Sequence, residues 1–246
     1  MSAASAALVS HIKANLVRLN EARLPDEYYY ASIPLCIIDA VFSIGVRYES
    51  TRRTVRDWCR SQVPAWRVIA RTPGSEPRRS QHTLKAFITL LEGKDFRSLA
   101  QAEFKNSQRT SSTNGILKAE AVYRFAAVLR DFGVDDFPDT CDQALNDKIL
   151  GRITEIKGQG SGLSFDYFQM LAGLDGHVKA DRMVRRFVAD ALGSTVVPAG
   201  TAQALVIEAC QLLKEEFPYL TPRLLDYEIW NYQRSRRSAG GPALVG

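Results

Sequence analysis

Apolar residues recur at helical spacing along nearly the whole chain, and no segment shows the sustained alternation of apolar and polar residues that is typical of a β-strand. The clearest case is residues 118–132, whose apolar face comprises Ala121, Val122, Phe125, Ala126 and Leu129. Gly133 follows as a C-terminal stop. The same spacing predicts helices at about 5–22 and at 163–172, and residues 72–77 predict a loop. Because helical spacing covers nearly the whole chain, we expect an all-α fold. The sequence shows no internal repeat.

Length and composition favour an ordinary globular protein. The chain has 246 residues, 46% of them hydrophobic, which allows one large domain or two closely packed lobes. The formal net charge of +5 weakly favours a polyanionic partner. No two of the four cysteines are closely spaced, so we expect free, mostly buried thiols and no iron–sulfur cluster.

Membrane and metal sites are not expected. The longest apolar stretch, residues 33–46, is too short to span a bilayer and contains Asp39. His11, His82 and His177 are far apart and have no neighbours at metal-ligand spacing. We therefore expect a cytoplasmic protein without a metal or other cofactor, associated with the nucleoid in a prokaryote or with the nucleus in a eukaryote.

A turn with three glycines joins two helical patterns at residues 156–162. Glycine allows positive φ and close backbone approach. A tight turn that opens a helix directs main-chain N–H groups outward near the positive end of the helix dipole, and this arrangement binds phosphate without reading a base. A plain helix-to-helix connector is the alternative. The candidate phosphate-binding residues are Lys157, Gly158, Gln159, Gly160, Ser161 and Gly162.

Four segments, in order, resemble the helix-hairpin-helix DNA glycosylase superfamily over about residues 33–192. The turn is similar to that family's apolar-Pro-Gly-apolar-Gly hairpin, and residues 180–187 are similar to its Val-Asp-(Thr/Ser)-His-apolar-x-Arg-apolar segment. Residues 114–122 resemble its Tyr-Asn-x-Lys-Ala-x-x-apolar segment, and residues 38–45 resemble the end of its buried helix. No strand pattern precedes the turn, which disfavours a strand-loop-helix nucleotide site.

Departures from the family pattern bear on the expected chemistry. Gly162 stands where the strand-cleaving branch has its lysine nucleophile, and a glycine cannot form a Schiff base. Lys157 replaces the hairpin proline, and Met183 lies near the place of the family's histidine. The cysteines that hold an iron–sulfur cluster in some branches are also missing.

The resemblance implies a two-lobed helical DNA-binding protein. It places a helix-hairpin-helix lobe at about 32–135, packed against the rest of a single domain at 1–237, and leaves 238–246 as a flexible tail. The implied function is that of a monofunctional DNA N-glycosylase of base excision repair. A catalytically silent binder of DNA structure or damage is the alternative from another class, and a helical protein–protein module is a third.

Asp181 is the candidate catalytic residue, because a carboxylate can stabilise an oxocarbenium-like sugar or activate water. Its structural alternatives are an N-cap of its own helix and an ion pair with Arg185.

Residues 105–115, which are polar and net basic, are interpreted as a solvated loop. Candidates for a base pocket or for filling the gap left by a flipped base are Asp39, Arg47, Tyr48, Tyr28 and Trp230. Aromatic residues at such spacings are more often part of the core, and for Asp39 we favour a structural role.

Overall fold

The helical expectation is confirmed in a computed structural model of the chain, which describes residues 2–62 and 82–238. Within these two ranges all regular elements are helices, and an isolated antiparallel bridge pairs Arg109 with Leu117. The α-helices are α1 (Ala3–Asn15), α2 (Ile33–Phe42), α3 (Tyr48–Ser61), α4 (Leu84–Leu91), α5 (Phe96–Ser98), α6 (Lys118–Asp131), α7 (Gln143–Thr154), α8 (Leu163–Ala172), α9 (Arg182–Leu192), α10 (Ala199–Leu212) and α11 (Pro222–Ser238).

The chain divides into two compact units. The central unit comprises residues 25–174, and the terminal unit comprises residues 1–24 together with 175–246. The lobe predicted at about 32–135 therefore lies inside the central unit. That unit extends further along the chain and includes the glycine turn at 156–162.

Helix α2 forms the centre of the central unit, and all ten of its residues are buried. Helices α3, α4, α6 and α8 pack around it. A helix that is apolar on all sides is stable in water only when it is covered in this way. An aromatic cluster fills the space beside it, where Trp58 of α3 stacks on Phe104 with ring centroids 4.8 Å apart.

The terminal unit brings the first helix together with the last three. Helix α1 packs on α9 and α10, and α11 packs on the same two helices. Leu8 and Ile12 of α1 are fully buried there with Phe187, Val206 and Leu225. The unit is thus built from segments that are far apart in the sequence.

Three predictions concern the ends of the chain, its loops and the membrane. Helix α11 continues through Ser238, so this residue is helical and does not begin the tail. The rest of the predicted tail, 239–246, and a loop predicted at 72–77 lie outside the described residues. No helix in the described ranges is long and apolar enough to cross a membrane.

Candidate functional site

The α7–α8 turn, residues 155–162, is closed by two successive backbone hydrogen bonds. The N–H of Gln159 donates to the carbonyl of Ile156 at 2.8 Å, and the N–H of Gly162 donates to the carbonyl of Gln159 at 3.0 Å. Gly158 and Gly162 have φ values of +87° and +73°. Because residues with a side chain rarely adopt this conformation, the turn requires glycine at these two positions.

The six predicted phosphate-binding residues fall into two groups. Lys157, Gly158, Gly160 and Ser161 are exposed, whereas Gln159 and Gly162 are buried. The side chain of Gln159 therefore does not extend from the surface, and both buried residues use their N–H groups inside the turn. The candidate contact surface narrows to the four exposed residues.

Main-chain amides of this surface have no hydrogen-bond partner among the described residues. The N–H groups of Gly158, Gly160 and Ser161 donate no hydrogen bond to any atom in residues 2–62 and 82–238. They precede the first turn of α8, where the helix dipole places partial positive charge. The exposed Lys157 adds a full charge beside them. This arrangement favours an anion.

The two glycines of this surface, Gly158 and Gly160, differ in the space around them. A Cβ on Gly158 would overlap the side chain of Thr110. A Cβ on Gly160 would meet only the carbonyl oxygen of Thr154, at 3.7 Å, and its φ lies outside the left-handed region. Gly158 is therefore required by the packing of the turn, whereas Gly160 can be replaced without disturbing the fold.

The segment that packs against Gly158 is the basic loop, residues 105–115. Hydrogen bonds hold it at its base, where Asn106 Nδ2 donates to Thr54 Oγ1 at 2.8 Å and Gln108 Nε2 donates to Ser50 Oγ at 3.2 Å. Its tip, residues 111–114, is exposed. The prediction of a solvated loop is confirmed for the tip, but the base is fixed to α3.

Lys118, the first residue of α6, is buried and binds the end of α2. Its Nζ donates to the carbonyl of Phe42 at 2.9 Å and to that of Ile44 at 2.8 Å. A cation is favourable at a helix C-terminus, where carbonyl groups lack helical partners. Two of the segments that carry the family resemblance, 38–45 and 114–122, are therefore in contact. Amphipathic spacing alone did not indicate this role.

Asp181 is the N-cap of α9, so the capping alternative is confirmed. Its Oδ1 accepts hydrogen bonds from the N–H of Met183 at 2.7 Å and from that of Val184 at 3.3 Å. Its Oδ2 accepts no hydrogen bond from the described residues. The catalytic role remains a prediction, since a carboxylate that caps with one oxygen keeps the other available.

The segment leading to Asp181 is fixed by the start of α11. The guanidinium of Arg223, which is buried, pairs with Asp175 at 3.1 Å. The carboxylate of Asp226, also buried, accepts the N–H of Lys179 at 2.9 Å. These two contacts hold the segment before Asp181 within the terminal unit.

Three of the five base-pocket candidates lie together in the central unit. Asp39 is fully buried and accepts hydrogen bonds from the hydroxyls of Tyr30 at 3.0 Å and Tyr48 at 3.2 Å. Burial, and then the charge of Asp39, raises the pKa of both tyrosines. Tyr28 is buried beside them, edge-on to Tyr167. This packing agrees with the structural role favoured for Asp39.

The other two candidates are on separate elements. Arg47 is exposed and precedes α3 as its N-cap residue. Trp230 is half-buried in α11 of the terminal unit, where it stacks with Tyr227 and lies under the guanidinium of Arg234. A surface position suits contact by Arg47 with a ligand, whereas the Trp230 ring already has partners one turn before it and one turn after it.

Thiols and metal ligands add no further site. Cys36, Cys59 and Cys210 are buried and Cys141 is exposed, as expected for mostly buried thiols. Within the part of the chain that the structure describes, no group of three or more histidine, cysteine, aspartate or glutamate side chains could hold a metal ion.

Comparison with known proteins gives one match. Residues 6–234 match a family described as "Domain of unknown function (DUF8548)". No curated protein matches the chain. No solved structure matches it.

Proposed function

We propose that the chain, which belongs to the DUF8548 family, binds DNA through the phosphate backbone and acts as a monofunctional DNA N-glycosylase of the helix-hairpin-helix type. The observation that carries the binding proposal is the set of N–H groups, unpaired within the described part of the chain, at the exposed residues Gly158, Gly160 and Ser161, next to the exposed Lys157. Such groups bind phosphate without sequence preference, as a protein that scans duplex DNA for an altered base requires.

The contact made by Lys118 supports the helix-hairpin-helix part of the proposal. Its ammonium group joins the end of α2 to the start of α6, which are two of the four segments that resemble the family. The third segment, the turn, belongs to the same unit. The fourth segment, residues 180–187, belongs to the terminal unit.

The replacement Gly160→Val tests the binding proposal. A Cβ has room at this position, and we expect the branched side chain of valine to cover the neighbouring N–H groups. We expect at least about a tenfold loss of affinity for a duplex carrying an abasic analogue, measured by fluorescence anisotropy at several salt concentrations, because phosphate contacts dominate such binding. Gly200→Val is the matched control, since Gly200 is exposed and a Cβ there meets nothing within 4 Å. Undiminished affinity of Gly160→Val would remove the turn from the proposal.

Asp181 is the proposed catalytic residue. Water attacks C1′ of the damaged nucleotide, the N-glycosidic bond breaks, and the base leaves with the bonding electron pair and takes up a proton. The Asp181 carboxylate, held at Oδ1 by two N–H groups, stabilises the positive charge on the sugar with Oδ2. With Gly162 in place of the lyase lysine, the product is an intact strand with an abasic site.

Asp181→Asn separates catalysis from capping. Asparagine caps helices about as well as aspartate, so the free energy of unfolding should change little while the charge is lost. We expect base release from a panel of damaged oligonucleotides, detected by alkaline cleavage of the abasic strand, to fall by about 100-fold with binding retained. Asp181→Ser, which also keeps a capping oxygen, should show the same loss of base release with binding retained. Base release at the wild-type rate in either variant would contradict the catalytic role.

A catalytically silent DNA binder is the second candidate. The capping contacts of Asp181 favour it, because they give this carboxylate a structural task that requires no substrate. The presence of Met183 near the place of the family's histidine favours it too. This candidate predicts salt-sensitive binding that Gly160→Val abolishes, together with no base release from any substrate in the panel.

A further inference from the structure

The basic loop lies directly against the α7–α8 turn. The side chain of Thr110 occupies the space that a Cβ on Gly158 would need. The loop therefore meets the turn at Gly158, one of the exposed residues of the proposed phosphate site. The residue before Thr110 is Arg109, which is exposed. The loop backbone that carries this cation therefore lies against the turn.

The Arg109 guanidinium is held in place within its own loop. Its Nη1 donates to the carbonyl of Gly115 at 2.6 Å. Gly115 cannot be replaced without rearrangement, because a Cβ there would overlap the backbone of Ser111. A guanidinium has five N–H donors, so one bond to Gly115 leaves donors for an anion. An arginine that is oriented before binding loses less conformational entropy when it binds.

The loop backbone is fixed on both sides of Arg109. The N–H of Thr110 donates to the carbonyl of Ile116 at 2.9 Å, and the N–H of Lys118 donates to the carbonyl of Gln108 at 2.8 Å. These two bonds pair the arms of the loop, and the side chains of Asn106 and Gln108 anchor it to α3. These hydrogen bonds hold the polar loop in one arrangement, which suits rigid recognition of a ligand.

We infer that the basic loop is a second phosphate-binding element, in which Arg109 contacts a phosphate next to the one held by the α7–α8 turn. The inference rests on the proposed DNA binding at the turn and adds the loop to the same surface. Arginine suits this role because its planar guanidinium can donate two parallel hydrogen bonds to one phosphate. Ser112, at the exposed tip, faces solvent in the same loop.

Arg109→Gln tests the inference through the salt dependence of binding to the abasic-analogue duplex. Each phosphate contact contributes about 0.9 to the slope of log affinity against log salt. Between about 50 and 200 mM salt, the wild-type affinity should therefore fall about 3.5-fold more than that of the variant. Arg109→Lys should keep the wild-type slope, because it keeps the charge. The matched control is Arg124→Gln, an exposed arginine in α6 paired with Glu120, which should leave the slope unchanged.

Ser112→Asp provides a test that leaves the Arg109–Gly115 hydrogen bond intact. The added negative charge should weaken binding at low salt, and the weakening should diminish as salt increases. Wild-type affinity of Ser112→Asp, or a wild-type slope in a folded Arg109→Gln, overturns the inference. If Gly160→Val still abolishes binding in that case, the proposed function stands without the loop. If Gly160→Val also binds normally, both fall.

Discussion

Replacing Gly158 by alanine tests the contact between the α7–α8 turn and the basic loop. Two costs add at this position. The φ of +87° costs an alanine about 1–2 kcal/mol, because its Cβ crowds the following carbonyl oxygen. The overlap of the new Cβ with Thr110 adds about 1–3 kcal/mol, as is usual for overpacking in a well-packed site. We expect the free energy of unfolding to fall by about 2–5 kcal/mol.

A double-mutant cycle separates the two costs. Thr110→Gly removes the Cβ and the Oγ1 that a new methyl group at 158 would overlap. In the Thr110→Gly background, Gly158→Ala should therefore cost only the part due to φ, which gives an interaction energy of about 1–3 kcal/mol. The free energies are measured by urea denaturation followed by circular dichroism. Gly160→Ala, with neither cost, should lie within about 0.5 kcal/mol of wild type.

Two results would refute this reasoning. If Gly158→Ala is as stable as Gly160→Ala, the turn does not hold Gly158 in a left-handed conformation. If Gly158→Ala is destabilised equally with threonine and with glycine at 110, the loop does not pack against the turn. The second result would also remove the geometric basis for placing Arg109 beside the phosphate site.

Other predictions concern buried polar groups, and all use the same urea denaturation. Lys118→Met should lower the free energy of unfolding by about 2–4 kcal/mol, because the carbonyls of Phe42 and Ile44 lose a charged donor. The control Lys148→Met, at an exposed site, should change the free energy of unfolding little. Tyr30→Phe should cost about 1.5–3 kcal/mol, since Asp39 loses a donor; an unchanged midpoint would count against that bond. Burial lowers the pKa of His11 in the folded state. The free energy of unfolding should therefore decline as the pH falls below about 6.5, and His11→Phe should reduce this decline.

The ends of helices were predictable where the backbone demanded a particular residue. Helix α8 begins at Leu163 and ends at Ala172, as predicted, because Gly162 and Gly173 adopt positive φ at its two ends. The first helix, predicted at 5–22, ends at Asn15 instead. Leu16 and Leu19 stay buried after the helix ends, because the chain continues as a short 3₁₀ turn against the same core. Apolar spacing therefore could not indicate that end.

The candidate site was predictable only in part. The glycine spacing indicated the turn, but a sequence gives no signal that Thr110 packs against Gly158, since this contact depends on the tertiary fold. Gln159 was predicted among the phosphate-binding residues, yet it is buried. Lys118 was placed at the start of an amphipathic helix, and its burial follows from a helix end elsewhere in the chain.

The composition of the terminal unit has a consequence for synthesis. Helix α1 leaves the ribosome before any of its partners α9, α10 and α11 exists. At typical elongation rates, the delay is on the order of ten seconds. Throughout that interval Leu8 and Ile12 lack the side chains that cover them in the finished protein, while the continuous central unit can already fold. During this interval the apolar face of α1 is a segment to which a chaperone can bind.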